Sequence, residues 1–507
     1  VTVQAAVTGG PAAEGRVTVP AHSSMEYKLP EMTVQNPKLW TAETPNLYEL
    51  TFTTTAGSSA DTVKQNFGIR TVSVSGTKVL VNGRAVFLTG MLHWGSYYDN
   101  YTSAVSVEQV RYELTALKED GFNAIKYCLF SPPDYVLELC DEIGMYVYIE
   151  YPNWNPVESD IFFERSYLQM MEMVVKDRRF PSVIMTDFNC EDLQFSESMD
   201  RLMKWCVDTA KKVAPNRLYT DNSSNGDHRY GDFATCHPYY QMGAFENMLE
   251  GWMEKRGGQP LILGEYADIS VLRDLGELKQ QESADYSWYH EYYKDYDQAE
   301  IMRQAGYSEE EIDTIIAQSV GNAQEIRKYF IEASKSNGQV AGLFLTHIFE
   351  SPNGWADGWF DDLYQKHFDP AVIRPAASST AMLLDRNTVN FRAGGAAMLG
   401  ACVSHYNGRD LTGAKVHYTL SDGSKTVQTG VVRDNLELKS GDYYRIGDMT
   451  IQFPASSEAV RYTLTLTLSV GGETVAQNNW NLWAYPTETL DVSDIAIYDP
   501  QNTLNLA

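Results

Sequence analysis

Basic residues are scarce in this chain of 507 residues: 40 Lys and Arg stand against 67 Asp and Glu, a formal net charge of −27. Binding to phosphate backbones depends on a basic surface, so nucleic acid is excluded as the main partner. The same charge argues against an anionic membrane surface. Long apolar runs are also missing. Stretches such as VAGLFLTHIF, from Val340 to Phe349, fall far short of the roughly 18 residues a membrane helix needs. The six cysteines, at 128, 140, 190, 206, 236 and 402, contain no C-x-x-C pair. Neither a zinc site nor a disulfide framework is indicated, and free buried thiols are expected. No basic-then-apolar leader opens the chain, and Val1 in place of Met reads as a processed or cut end. The compartment stays open, with a periplasmic or secreted location ahead of a cytoplasmic one.

Several catalytic signatures are absent as well. There is no G-x-G-x-x-G and no G-x-x-x-x-G-K-[ST] phosphate loop, so no nucleotide cofactor is implied. There is no G-x-S-x-G nucleophile elbow. His290 and Glu291 begin a zincin-like H-E-x-x-H, but Lys294 stands where the second His is needed. His93, His237 and His347 lie near predicted strand ends, yet on three separate strands, so no metal is assigned.

What is present is ordinary globular composition, 43% hydrophobic and 21% charged. At about 150 residues per domain the length suggests roughly three domains. Texture changes twice along the chain. Residues 1–84 alternate polar and apolar, as in LYELTFTTT, and predict a small β-sandwich. Residues 386–507 begin in the same way, with KVHYTL and RYTLTLTLSV, and predict a second sandwich followed by a tail. Between them, residues 85–385 hold eight short apolar runs: 85–92, 122–130, 144–150, 183–189, 217–221, 233–239, 260–266 and 340–348. Strands buried on both faces look like this. Helical stretches separate them. One is expected to start at a capping box formed by Ser106 and Gln109, and another to end at Gly144. Eight strand–helix repeats predict a (β/α)₈ barrel, in preference to a doubly wound sheet that would want a glycine-rich phosphate loop. The long connection before the last strand carries the aromatic cluster SWYHEYYKDY at 287–296, which reads as a lid or as packing for extra helices.

Catalytic groups of such barrels sit at the C-terminal ends of the strands. There stand Glu150, Glu191, Asp221, Tyr239 and Glu265. Several carboxylates on one mouth suggest acid/base chemistry on a polar substrate. Two of them about 5 Å apart would make a retaining glycosidase.

At this point the motifs LWTAETPNLYEL (39–50), FGIRTVSV (67–74), VNGRAVFLTGMLHW (81–94), GFNAIKY (121–127), DRRFPSVIMTDFNCED (177–192) and QPLILGEYAD (259–268) together resemble glycoside hydrolase family 2, the β-galactosidases, β-glucuronidases and β-mannosidases. The resemblance implies a barrel flanked by two immunoglobulin-like sandwiches, with the family's N-terminal jelly-roll absent and the chain a fragment. It implies an exo-acting retaining β-glycosidase on an oligo- or polysaccharide, without cofactor, and leaves homo-oligomerisation open. It makes Glu191 the acid/base, expected to be held protonated, and Glu265 the nucleophile, expected to be ionised. Tyr239 would hydrogen-bond the nucleophile. Lys126 and Glu150 would neighbour the pair, and His93, Trp94 and Trp154 would wall the sugar. The chain departs from the family where Cys190 replaces an Asn that faces the sugar 2-hydroxyl, with Asn189 one place earlier. Lys126 replaces an Arg, and Thr186 and Thr346 replace tryptophans. The catalytic pair thus persists inside an altered sugar shell. The alternative is a non-catalytic carbohydrate-binding protein on a degenerate barrel.

Overall fold

All eight apolar runs of the central region form parallel strands. The computed structural model describes residues 1–95, 105–192, 194–224, 228–239, 245–255, 258–267, 269–276, 297–349, 357–361, 363–386 and 388–487. The aromatic cluster 287–296 lies outside the described residues. Within them the chain forms two units.

The first unit opens with a four-stranded antiparallel sheet. It contains β1 (Thr2–Val7), β2 (Ala12–Arg16), β3 (Tyr48–Ala56) and β4 (Ser59–Phe67), in the order β2-β1-β3-β4. A short meander follows, of β5 (Val72–Ser75), β6 (Lys78–Val81) and β7 (Arg84–Val86). The barrel strands come next: β8 (Leu88–His93), β9 (Ala124–Tyr127), β10 (Tyr146–Glu150), β11 (Val183–Asp187), β12 (Leu218–Thr220), β13 (Ala234–Cys236), β14 (Leu261–Tyr266) and β15 (Val340–Leu345). They pair in parallel in the order β12-β11-β10-β9-β8-β15-β14-β13, a barrel closed everywhere except between β12 and β13. Every residue of these strands is buried, because helices cover their outer faces and side chains fill the interior. Interior space is tight at Gly90, where an added Cβ would lie 2.5 Å from the Phe344 ring.

The helices start and stop largely where local chemistry directs. Ser106 caps Val107–Glu119 by accepting the Gln109 backbone N–H at 3.1 Å. The reciprocal half of the expected capping box does not form, because the Gln109 side chain turns inward to Glu113 at 2.7 Å. Asp134–Ile143 ends at Gly144, whose φ of +85° suits a residue without a Cβ. The six cysteines are free and buried.

The second unit comprises 384–402, 413–436 and the residues from 445 onward. Its largest sheet orders the strands Asn390–Arg392, Glu473–Tyr485, Val460–Val470, Leu411–Ser421 and Thr426–Leu438. Strict alternation decides its faces: Leu464, Leu466 and Leu468 are buried, while Arg461, Thr463 and Thr465 point the other way. These β-sandwich strands join the barrel and the N-terminal sheet in the architecture anticipated from the sequence.

Candidate active site

Parallel register sets the depth at which each strand delivers its side chain to the mouth. β9 places Lys126 beside Tyr148 of β10, and β10 ends on Glu150. Lys126 and Glu150 are fully buried and Glu265 nearly so. The Lys126 ammonium lies 2.9 Å from Glu150 Oε1 and 3.4 Å from Glu265 Oε1. Burial alone would favour a neutral amine. The Glu150 and Glu265 carboxylates outweigh it and keep the ammonium charged well beyond its usual range. Glu150 also accepts from the Cys128 thiol at 2.7 Å, from the Leu129 backbone N–H at 3.2 Å and from the Ser223 hydroxyl. Its oxygens are therefore spoken for, held by Lys126, Cys128, Leu129 and Ser223. Cys128 itself is pushed up by burial, so it remains a neutral thiol.

Glu265, on β14, faces four groups. Besides Lys126 it meets the Cys128 thiol at 3.4 Å, His237 Nδ1 at 3.7 Å and the Tyr239 hydroxyl, which donates to Oε2. Burial raises its pKa. His237, Lys126 and the Tyr239 hydrogen bond more than offset that and hold the carboxyl below its ordinary range. Glu191 follows β11 in the left-handed region, at φ +56°, and its backbone N–H is tied to Ser223 O at 3.1 Å. Its side chain is one-third exposed and meets His237 Nδ1 at 2.8 Å. An oxygen of Glu191 and one of Glu265 lie within 4.8 Å of each other, and both lie as close to His237.

The sequence predicts a protonated Glu191. In the structure the hydrogen bond with His237 lowers its pKa, against the opposing effect of burial. Sequence reasoning considered His237 only as a metal ligand and so missed it as the link between the two carboxylates. Ser223 and Cys128, which hold Glu150, were missed too.

The remaining candidates separate. Asn189 is buried and serves the loops, accepting from Asn153 at 2.8 Å and donating to Asn222 at 3.0 Å. Cys190 is buried, and its thiol contacts Cys128; burial raises its pKa to about 12, against a lowering by that contact. Backbone bridges join Cys190 to Trp154 and to Ser223, extending the sheet order past the strand ends. Trp154 is 56% exposed at this rim. The Trp94 ring lies 5.4 Å from that of His347. His93 is buried, packs on Tyr127 and Phe349, and accepts the Gly95 N–H at 2.8 Å. Asp221, another strand-end carboxylate, accepts the Arg229 backbone N–H at 3.0 Å and stabilises its own loop.

Among the described residues, two donor sets have the spacing of a metal site: Cys128, Glu150 and Glu265, and Glu191, His237 and Glu265. Lys126 already neutralises the first. His93 and His347 join neither set among the described residues.

Comparison with known proteins gives consistent matches. Residues 72–330 match the family model described as "Glycosyl hydrolases family 2, TIM barrel domain", and residues 2–70 match "Glycosyl hydrolases family 2". Residues 398–486 match a domain of unknown function. A β-galactosidase of Lactococcus lactis subsp. lactis is 28% identical over 253 residues, covering 47% of this chain and 25% of that protein. A putative β-glucuronidase of Formosa agariphila is 28% identical over 204 residues, covering 38% and 19%. The matched stretch thus spans about a quarter or less of these curated relatives. Among solved structures, the β-D-mannosidase from Dictyoglomus thermophilum aligns with a TM-score of 0.71 at 15% identity, covering 97% of this chain and 64% of that one. A putative β-galactosidase from Bacteroides fragilis aligns at 0.61, with 15% identity, over 96% and 68%. Identities this low show the fold alone.

Proposed function

The chain belongs to glycoside hydrolase family 2, and on that premise we propose that it is an exo-acting retaining β-glycosidase that removes a terminal sugar from an oligo- or polysaccharide. The observation that carries this reading is the approach of Glu191 and Glu265 to within 4.8 Å. Retaining enzymes hold their carboxyl groups about 5–5.5 Å apart, whereas inverting ones leave roughly 6.5–9.5 Å for a water. Glu265, kept ionised by His237, Lys126 and Tyr239, attacks the anomeric carbon and forms the glycosyl–enzyme bond. Glu191 passes a proton to the departing oxygen. It then takes one from the water that releases the sugar and frees Glu265.

Before substrate arrives, the hydrogen bond with His237 holds the Glu191 carboxyl below its ordinary pKa. His237 is the partner of both carboxylates: Nδ1 stands 2.8 Å from Glu191 and 3.7 Å from Glu265. Substrate that excludes water from the half-buried Glu191 raises its proton affinity and readies it to act as the acid. Neutralisation of Glu265 in the covalent intermediate then removes a like charge and lets Glu191 act as base.

The named activities of the relatives frame the substrate as a β-linked hexopyranose. Lys126, enclosed by Glu150 and Glu265, is not available to a uronate carboxylate. The test is a panel of aryl β-glycosides with the intact chain, and with Glu265→Ala. Turnover of one glycoside, its loss in Glu265→Ala, and labelling of Glu265 by a 2-fluoro glycoside are expected. Binding without turnover of any glycoside would favour the non-catalytic alternative, for which the changed shell at Cys190, Thr186 and Thr346 speaks. Full activity in Glu265→Ala would refute the assignment.

A further inference from the structure

The second unit carries a surface that the barrel chemistry does not use. On Glu473–Tyr485 alternate residues point outward: Gln477, Asn479, Asn481, Trp483 and Tyr485. Trp483 is 37% exposed and Tyr485 45%. Their ring centres lie 6.4 Å apart, with planes within 23° of parallel. Register places Arg461 opposite Trp483 and Thr463 opposite Asn481 on one side. On the other, Asn390 pairs with Trp483 and Arg392 with Tyr485. Residues paired in a sheet share a face, so two aromatic rings, two guanidiniums and a row of amides and hydroxyls occupy one surface.

We propose that this face binds an anionic polysaccharide. Three observations point to that occupant. Two adjacent large rings left open to water mark an interaction surface, and flat rings match the C–H face of a pyranose. Amides and hydroxyls beside the rings, such as Asn390, Asn481 and Thr463, suit sugar hydroxyls. The charge is complementary. In a chain of net charge −27, the outward residues of Asn390–Arg392, Val460–Val470 and Gln477–Tyr485 include no Asp or Glu. Arg392 and Arg461 take part in no ion pair among the described residues, and are free to fork onto a carboxylate or sulfate.

Native affinity electrophoresis of the whole chain tests this, in gels containing polygalacturonate, chondroitin sulfate or neutral galactan. Retardation by an anionic polymer, weakening with salt, is expected. Polygalacturonate alone would identify carboxylates as the charged group; chondroitin sulfate with it, charge in general. Trp483→Ala/Tyr485→Ala should bind about ten-fold more weakly. Arg392→Gln/Arg461→Gln should lose the salt-sensitive part. Both variants should keep the melting temperature and the aryl-glycoside turnover of the parent. Absence of retardation by both anionic polymers overturns the proposal, as does unchanged binding in the aromatic variant. So does a fall in oligomeric mass by light scattering in that variant, which would make the face a contact between copies.

Discussion

Replacing Lys126 with methionine removes one buried charge and leaves two. The ammonium is enclosed, 2.9 Å from Glu150 and 3.4 Å from Glu265. Methionine fills similar volume, so the packing cost is small and the electrostatic one dominates. Breaking a buried ion pair by deleting one partner costs about 3–5 kcal/mol, since the surviving charge stays desolvated. An unfolding entropy of about 2.1 cal/mol/K per residue, over the roughly 300 residues of a barrel, gives ~0.6 kcal/mol per degree. Lys126→Met should therefore lower the melting temperature by about 5–8 °C, measured by differential scanning calorimetry at pH 7. The double variant Lys126→Met/Glu150→Gln removes one orphaned carboxylate and should recover a substantial part of the loss. A Lys126→Met protein that melts with the parent would refute the reasoning, because it would mean that water or a proton compensates the two carboxylates without cost.

Three further outcomes can be measured. In His237→Gln the chief cause of the low Glu191 pKa is gone; the alkaline limb of kcat/KM should move to higher pH, and an unmoved limb would count against that hydrogen bond as its cause. Tyr239→Phe removes a hydrogen bond to a charged carboxylate, worth about 1.5–3 kcal/mol, so kcat should fall roughly 10- to 100-fold in steady-state assays while the fold persists. Burial lowers the His93 pKa to about 3; the unfolded chain takes up this proton first as pH falls through its ordinary value near 6.5. Stability from this group is therefore complete above pH 6.5 and is lost towards pH 3, at about 1.36 kcal/mol per unit. His93→Gln, measured by urea unfolding between pH 6 and 4, should show a correspondingly shallower slope.

The barrel was legible because its strands are buried on both sides and interrupted by helix signals, a pattern fixed by local composition. Glu191 and Glu265 were legible as strand-end carboxylates. What escaped depends on non-local geometry. Cys128, Ser223 and Leu129 reach Glu150 from two different strand ends, and no spacing along the chain announces that. The lowered pKa of Glu191 escaped for the same reason, because it depends on a ring delivered from beyond another strand. The Asn189 amide beside a catalytic carboxylate invites a role with substrate, yet loop backbones fold so that Asn153 and Asn222 claim it first.

The gap between β12 and β13 has a dynamic consequence. Each strand is three residues long, and no backbone ladder joins them. Side chains stitch the seam instead: Thr235 Oγ1 accepts the Ser224 N–H at 2.7 Å, and His228 reaches Thr220 at 3.3 Å and the Thr235 carbonyl at 3.1 Å. Segments held by few backbone hydrogen bonds open locally at free energies below that of global unfolding. His237 and Tyr239, the residues that grip both carboxylates, are carried just beyond β13. Amide exchange should therefore be faster along 218–224 and 234–239 than in β8 or β9, and each such opening would loosen the hydrogen bonds of His237 and Tyr239 to the carboxylate pair.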